Sequence, residues 1–110
     1  HDLAWIPYFI QRMDTTYRER PTQCTYRFKN SALPSDFMEK NVFHSFQDDG
    51  LGVRDRHLIG MNQLLWASDY PHAESTFPES QRILSEILAD VPETEKAMII
   101  GSNCASLYGL

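Results

Sequence analysis

The residues best placed to carry chemistry follow a short apolar run. Leu64-Leu65-Trp66-Ala67 has the pattern of a strand that is buried on both faces, and Asp69 comes just after its carboxyl end. In parallel α/β folds reactive groups gather at that end of the strands, because the loops there converge. A carboxylate in that position can bind a divalent metal ion or accept a proton from a metal-bound water. Alternatively, Asp69 only organises the turn that contains Tyr70-Pro71.

The chain has four histidines, and their spacing predicts no complete metal site. His1, His44, His57 and His72 lie too far apart for a His-x-His or His-Glu-x-x-His motif. His72 lies three positions beyond Asp69, so its side chain either reaches the same carboxyl end of the strands or points to solvent. His44, in an alternating segment, is more simply a packed strand residue, and His57 is most simply a surface residue.

The elements that would position these side chains follow from the spacing of apolar residues. Intervals of three and four predict helices, and alternation predicts strands. Pro21, Gly60 and Gly101 are expected to end helices, and Thr76-Phe77-Pro78-Glu79 is expected to begin one as a capping box. The predicted segments are helix 4–20, a short helix 35–40 capped by Ser35, strand 41–47, helix 51–59, strand 64–67, a helix beginning at 76, helix 92–100 and a helical turn 102–108. This alternation is typical of a βα-repeat protein.

Composition is that of a soluble folded chain and excludes several partners. The 110 residues include 10 basic and 15 acidic side chains, a net charge of −5, and no basic stripe that would neutralise phosphates, so nucleic acid is not an expected partner. No apolar stretch approaches the ~20 residues of a membrane-spanning helix. Cys24 and Cys104 fit no disulfide or zinc framework, and the first residues lack a signal-peptide pattern, which together favour the cytoplasm.

Three blocks of sequence resemble the carboxyl-terminal part of amidohydrolase family 2, the group that includes aminocarboxymuconate-semialdehyde decarboxylase and the dihydroxybenzoate-type decarboxylases. The blocks are Ala4–Phe9 with Arg12-Met13-Asp14, Leu64–His72 with Ser75–Pro78, and Asn103–Leu110. The resemblance implies an α/β fold in which residues 1–110 form a single partial domain, about two βα units plus the terminal helices of a (β/α)8 TIM barrel. A full barrel takes ~250 residues, so most of it would come from elsewhere.

The resemblance also implies roles for four side chains. Asp69, at the end of the eighth strand, would be catalytic and would ligate or face a divalent metal ion of the zinc or manganese class. His1 would handle protons at the end of the sixth strand, although other residues replace the glycines that usually follow such a histidine. His44, on or near the seventh strand, and His72 would shape the substrate mouth. The family's early His-x-His pair matches nothing here, so the chain would supply one metal ligand.

The function expected from this resemblance is part of a metal-dependent hydrolase or decarboxylase for small carboxylated substrates, aromatic ones included, with the chain inactive alone. The alternative is a non-catalytic, self-associating α/β module that keeps family sequence without a complete metal site. A small ligand-binding domain with an aromatic surface has only composition in its favour. Because two parallel strands leave open edges and the apolar helix stripes lack neighbours, we expect the isolated chain to form a homo-oligomer or to rearrange.

Overall fold

Helices alternate with the two strands of a parallel sheet in the computed structural model, which describes residues 2–22 and 26–110. The α-helices are α1 Ile6–Glu19, α2 Pro34–Asn41, α3 Gly50–Arg54, α4 Ser80–Ile87, α5 Glu93–Ala97 and α6 Asn103–Tyr108, and the strands are β1 His44–Phe46 and β2 Leu64–Trp66. Short 3₁₀ turns at Lys29–Ser31, Arg56–Leu58 and Met61–Gln63 and a π-helical turn at Met98–Ser102 complete the chain. The observed order confirms the predicted α/β alternation. His1 and Cys24 lie outside the described residues.

The parallel pairing of β1 with β2 organises the molecule. His44 pairs with Leu64 and Phe46 pairs with Trp66. The amide of Ala67 donates to the carbonyl of Phe46 at 3.0 Å, which extends the pairing one step beyond β2. Both strands therefore end on the same side of the sheet, which we call the carboxyl edge, and helix α3 lies in the crossover that parallel strands require.

The core is one cluster of buried apolar side chains between the sheet and the helices. Phe46 and Leu64 supply it from the strands and are fully buried, and burial of each such side chain is worth ~1.5–3 kcal/mol. Its other members are Leu3, Ile6, Val53, Ile59, Leu84, Leu88, Val91 and Ile99. Strand β2 was expected to be buried on both faces, yet Leu65 and Trp66 are only half-buried, because the described elements cover the faces of this strand only in part. No helix in the described ranges combines the length and apolar character needed to cross a bilayer.

Helix α1 follows its sequence signals closely. It begins with Pro7 in its first turn and ends before Pro21, as the period of its apolar residues predicts. The predicted cap of α2 is different. Ser35 lies inside that helix, with its amide donating to Asp14 Oδ1 at 3.0 Å, while the carboxylate of Asp36 accepts from the Leu33 amide at 2.7 Å. Asp36 thus caps the short helix α2, and the bond to Asp14 attaches α2 to α1.

Thr76 does not form the predicted capping box, because its amide and its hydroxyl both bind groups outside residues 76–79. The Thr76 amide donates to the carbonyl of Ser68 at 3.0 Å, and the Thr76 hydroxyl lies 2.9 Å from that of Ser80. With its amide bound to the segment after β2, Thr76 closes that loop, and α4 starts at Ser80. The predicted capping box over residues 76–79 is therefore wrong.

Gly101 does not end a helix either. It lies inside the π-helical turn, without a positive φ, and the chain stays helical from α5 through α6. The helix ends at Gly109, which has the left-handed φ of 70° that a terminating glycine adopts. The amide of Leu110 then donates to the carbonyl of Ala105 at 2.9 Å. The predicted helix 51–59 also differs, since it divides into α3 and the 3₁₀ turn before Gly60.

One carboxylate ties the start of the chain to the segment after β1. Asp49 Oδ2 accepts hydrogen bonds from the amides of Leu3 at 2.6 Å and Ala4 at 2.9 Å. Its Oδ1 accepts from the amide of Gly52 at 2.7 Å and so caps α3. Gly52 must lack a side chain, because a Cβ there would lie 2.3 Å from the Cβ of Leu3. This contact holds α1 and α3 together at one corner of the core.

Asp49→Ala is expected to lower the free energy of unfolding by ~2–4 kcal/mol, since three backbone amides lose their acceptor at once. Urea-induced unfolding followed by circular dichroism measures this change. The neighbouring exposed carboxylate provides the control, and Asp48→Ala should stay within ~0.5 kcal/mol of the unmodified chain. Equal losses in the two variants would contradict the role given to Asp49.

Candidate functional site

Asp69 lies at the carboxyl edge of the sheet, three residues beyond the end of β2. Its side chain is 34% exposed, so solvent and small molecules reach the carboxylate while protein atoms support it. The backbone of Asp69 has a φ of 61°, a left-handed conformation that aspartate tolerates better than most residues. The amide of His72 donates to the Asp69 carbonyl at 2.9 Å and closes a turn. Asp69 is thus both a residue that organises the turn and a carboxylate at the end of a strand.

Two side chains approach the same oxygen of that carboxylate. Gln47 Nε2 donates to Asp69 Oδ2 at 3.4 Å, and His72 Nδ1 lies 3.6 Å from it. The amide of Glu74 also lies 3.4 Å from His72 Nδ1. Nδ1 accepts from that amide only when it carries no proton, and it attracts the carboxylate only when it does. The two contacts therefore favour different positions of the proton on the His72 imidazole.

Gln47 is the functional candidate that sequence reasoning missed. It is the first residue after β1, just as the Asp69 loop follows β2, so the strand-end rule applied to Asp69 would also have found it. Its backbone is held in place, because Trp66 Nε1 donates to the Gln47 carbonyl at 2.9 Å. Paired strands thus bring residues 47 and 69 together from distant parts of the sequence.

The structure places His44 and His57 away from this group. His44 begins β1, opposite Leu64, and is 9% exposed. It lies two residues before Phe46, which puts it ~7 Å farther from the carboxyl edge. Its place at the substrate mouth stays a prediction, as does the proton-handling role of His1, which lies outside the described residues. His57 is exposed and lies 3.4 Å from Glu95 Oε1.

Burial lowers the pKa of His44 below its ordinary value of 6.5, because the apolar surroundings disfavour the charged imidazole. The unfolded chain then binds a proton near pH 6.5 that the folded chain binds only at lower pH. The free energy of unfolding should therefore fall as the pH drops from ~6.5 towards the folded pKa. His44→Gln is expected to make the pH dependence of the free energy of unfolding shallower. Urea unfolding between about pH 7.5 and about pH 5, roughly the range in which histidine titrates, measures this change. An unchanged slope in that variant would contradict the assignment.

The described residues contain no complete metal site. No group of three or more His, Cys, Asp or Glu side chains that could hold a metal ion occurs in ranges 2–22 and 26–110. Asp69 nevertheless fits a single ligand of a divalent cation, since it is a partly exposed oxygen donor at a strand end. The His72 imidazole lies nearby, with Nδ1 3.6 Å from Asp69 Oδ2.

Asn103 positions the strand that leads to Asp69. Its side chain is buried, and its Nδ2 donates to the carbonyl of Met61 at 2.7 Å and to that of Leu64 at 2.9 Å. These bonds attach α6 to the start of β2. The sequence block Asn103–Leu110 therefore supports β2 at the end opposite the carboxyl edge.

The comparison with known proteins decides the family. A family model described as Amidohydrolase matches residues 24–110. The chain belongs to the amidohydrolase family. This confirms the resemblance to amidohydrolase family 2, whose members are generally metal-dependent. Among curated proteins, none matches the chain significantly.

A solved structure shows the fold of this amidohydrolase chain. The chain is similar to the solved structure of 5-carboxyvanillate decarboxylase LigW from Sphingomonas paucimobilis, with a TM-score of 0.76 and 24% sequence identity. The match covers 96% of this chain and 31% of that one, so the chain spans about a third of the length of that structure. The architecture is accordingly a portion of a (β/α)8 barrel, as expected.

Proposed function

We propose that this amidohydrolase chain forms one side of the active site of a metal-dependent hydrolase or decarboxylase acting on small carboxylated substrates, aromatic ones included. The observation that carries the proposal is the Asp69 carboxylate, which lies partly exposed at the carboxyl edge beside Gln47 and His72. Active sites of (β/α)8 barrels lie at that end of the strands. Membership of the amidohydrolase family and the fold shared with a decarboxylase support the same function.

Asp69 would bind a zinc- or manganese-class ion through a carboxylate oxygen and would accept a proton during the reaction. The metal, when bound, supplies a Lewis acid that polarises the substrate. His72, with 64% of its side chain exposed, would present its imidazole to the substrate carboxylate at the rim of the site. A protonated imidazole there donates a charge-assisted hydrogen bond to a carboxylate. His1 as proton carrier and His44 at the mouth belong to the same proposal.

The chain by itself would be inactive in this scheme. Among the described residues, Asp69 and His72 offer two donors at this edge, whereas a catalytic zinc site uses three protein ligands and keeps an open position. The remaining ligands would come from barrel units outside residues 1–110. The chain would then contribute substrate contacts and one metal ligand to a site that it does not complete.

Asp69→Asn is expected to abolish the line broadening that Mn²⁺ causes at the Tyr70 and His72 amides in ¹⁵N NMR spectra of the chain. Asparagine has nearly the same volume, so the turn is kept while the charged oxygen is lost. Asp90→Asn, which removes an exposed carboxylate after α4, is the matched control and should leave these signals as sensitive to Mn²⁺ as before. Broadening that survives in Asp69→Asn would rule out the metal-ligand role and favour the non-catalytic module.

A second copy of the chain is the partner we propose for the isolated polypeptide. Within the described residues the sheet has two strands, so β1 and β2 each keep one unpaired edge. At the start of α1, the aromatic side chains of Trp5, Tyr8 and Phe9 are 49%, 67% and 44% exposed. The radius of gyration of 16.1 Å exceeds the ~13 Å of a compact domain of this length. Association would cover surface that further units cover in a whole barrel.

Light scattering coupled to gel filtration should therefore find a dimer or a larger species of the 12.7 kDa chain. The double variant Tyr8→Glu/Phe9→Glu is expected to shift the population towards monomer, because charge on the exposed aromatic face opposes burial. Gln11→Glu adds charge to an exposed position of the same helix and should leave the mass unchanged. A monomeric unmodified chain would refute self-association.

A further inference from the structure

Gln47 carries the one buried polar side-chain atom that lacks a hydrogen-bond partner in the described part of the chain. This atom, Oε1, is shielded from solvent and accepts no hydrogen bond. Such an acceptor destabilises the folded state, and nearly all buried polar groups of native proteins are paired. Because the unpaired Oε1 does not stabilise the fold, we look for the reason for this orientation at Nε2 of the same amide.

The Asp69 carboxylate determines which way the Gln47 amide points. Nε2 donates to Asp69 Oδ2 at 3.4 Å. Rotation of the amide by half a turn would place Oε1 against the carboxylate, where two acceptors repel each other. Gln47 therefore presents its donor to Asp69, and its acceptor is left on the opposite side, among protein atoms that offer no donor.

Gln47 is held more firmly than His72, the other side chain described above near Asp69 Oδ2. It follows directly on Phe46, which is paired with Trp66 in the sheet, and its carbonyl accepts from Trp66 Nε1 at 2.9 Å. His72 is 64% exposed and lies farther from the carboxylate, at 3.6 Å. An amide held at the end of a strand restrains the carboxylate better than an exposed imidazole on a loop.

We propose that Gln47 is a positioning residue that holds the Asp69 carboxylate in the orientation that binds the metal, at the expense of one unsatisfied buried acceptor. This inference rests on the proposed role of Asp69 as a metal ligand. Side chains that hydrogen-bond a ligating group orient it, and their loss typically weakens metal binding ~10–100-fold. Because the bond to Asp69 is long, the lower end of that range applies.

Gln47→Met separates a positioning role from a structural one. Methionine has a similar length and volume but neither a donor nor an acceptor, so it removes the bond to Asp69 together with the unpaired Oε1. We expect the Mn²⁺ concentration that half-broadens the Tyr70 and His72 amides to rise about tenfold. The melting temperature should stay equal or rise, because the unsatisfied acceptor is gone. Gln11→Met, at an exposed position of α1, is the control and should change neither quantity.

Each other result decides against one of the two proposals. A lower melting temperature, or failure of Gln47→Met to fold, would show that Gln47 supports the fold and would overturn the inference. An unchanged Mn²⁺ midpoint in Gln47→Met, with broadening still lost in Asp69→Asn, would also overturn it while leaving Asp69 as a ligand. Broadening that persists in Asp69→Asn would instead remove the proposed function on which the inference depends.

Discussion

The parallel pairing of two three-residue strands is the constraint on which the rest of this chain depends. It makes β1 and β2 end on the same side, so that side chains far apart in sequence converge at the carboxyl edge. Two polar side chains secure this arrangement from outside the sheet. Asp49 joins the first residues of the chain to the segment after β1, and Asn103 joins the last helix to the start of β2. Both act through backbone groups that would otherwise lack partners.

At the carboxyl edge, two residues depart from their most stable local choices. Asp69 adopts a left-handed backbone, and Gln47 buries an acceptor that nothing satisfies. Each feature costs free energy, and the two occur at residues that contact each other. Departures of this kind cluster at functional sites, where orientation of a reactive group matters more than stability. The chemistry proposed for Asp69 agrees with that pattern.

Sequence signals were reliable where they were local and repeated. Helix α1 could be predicted because its apolar period and both of its prolines lie within the helix or next to it. Two predicted helix ends were wrong. The carbonyl of Ser68 binds the Thr76 amide that the predicted capping box assigned to Glu79, and capping rules take no account of a partner outside the box. Gly101 lacks the positive φ of a terminating glycine, and the last helix continues through it to Gly109.

The amino-acid sequence by itself determined the alternation of helices and strands, the family resemblance, and the place of Asp69 after an apolar strand. Tertiary structure alone decided which side chains meet that carboxylate. Gln47 reaches it and His44 does not, because the register that pairs Phe46 with Trp66 carries residue 47 to the carboxyl edge and leaves residue 44 at the start of the strand. Periodicity shows which face of a strand is buried, but register depends on contacts between distant segments.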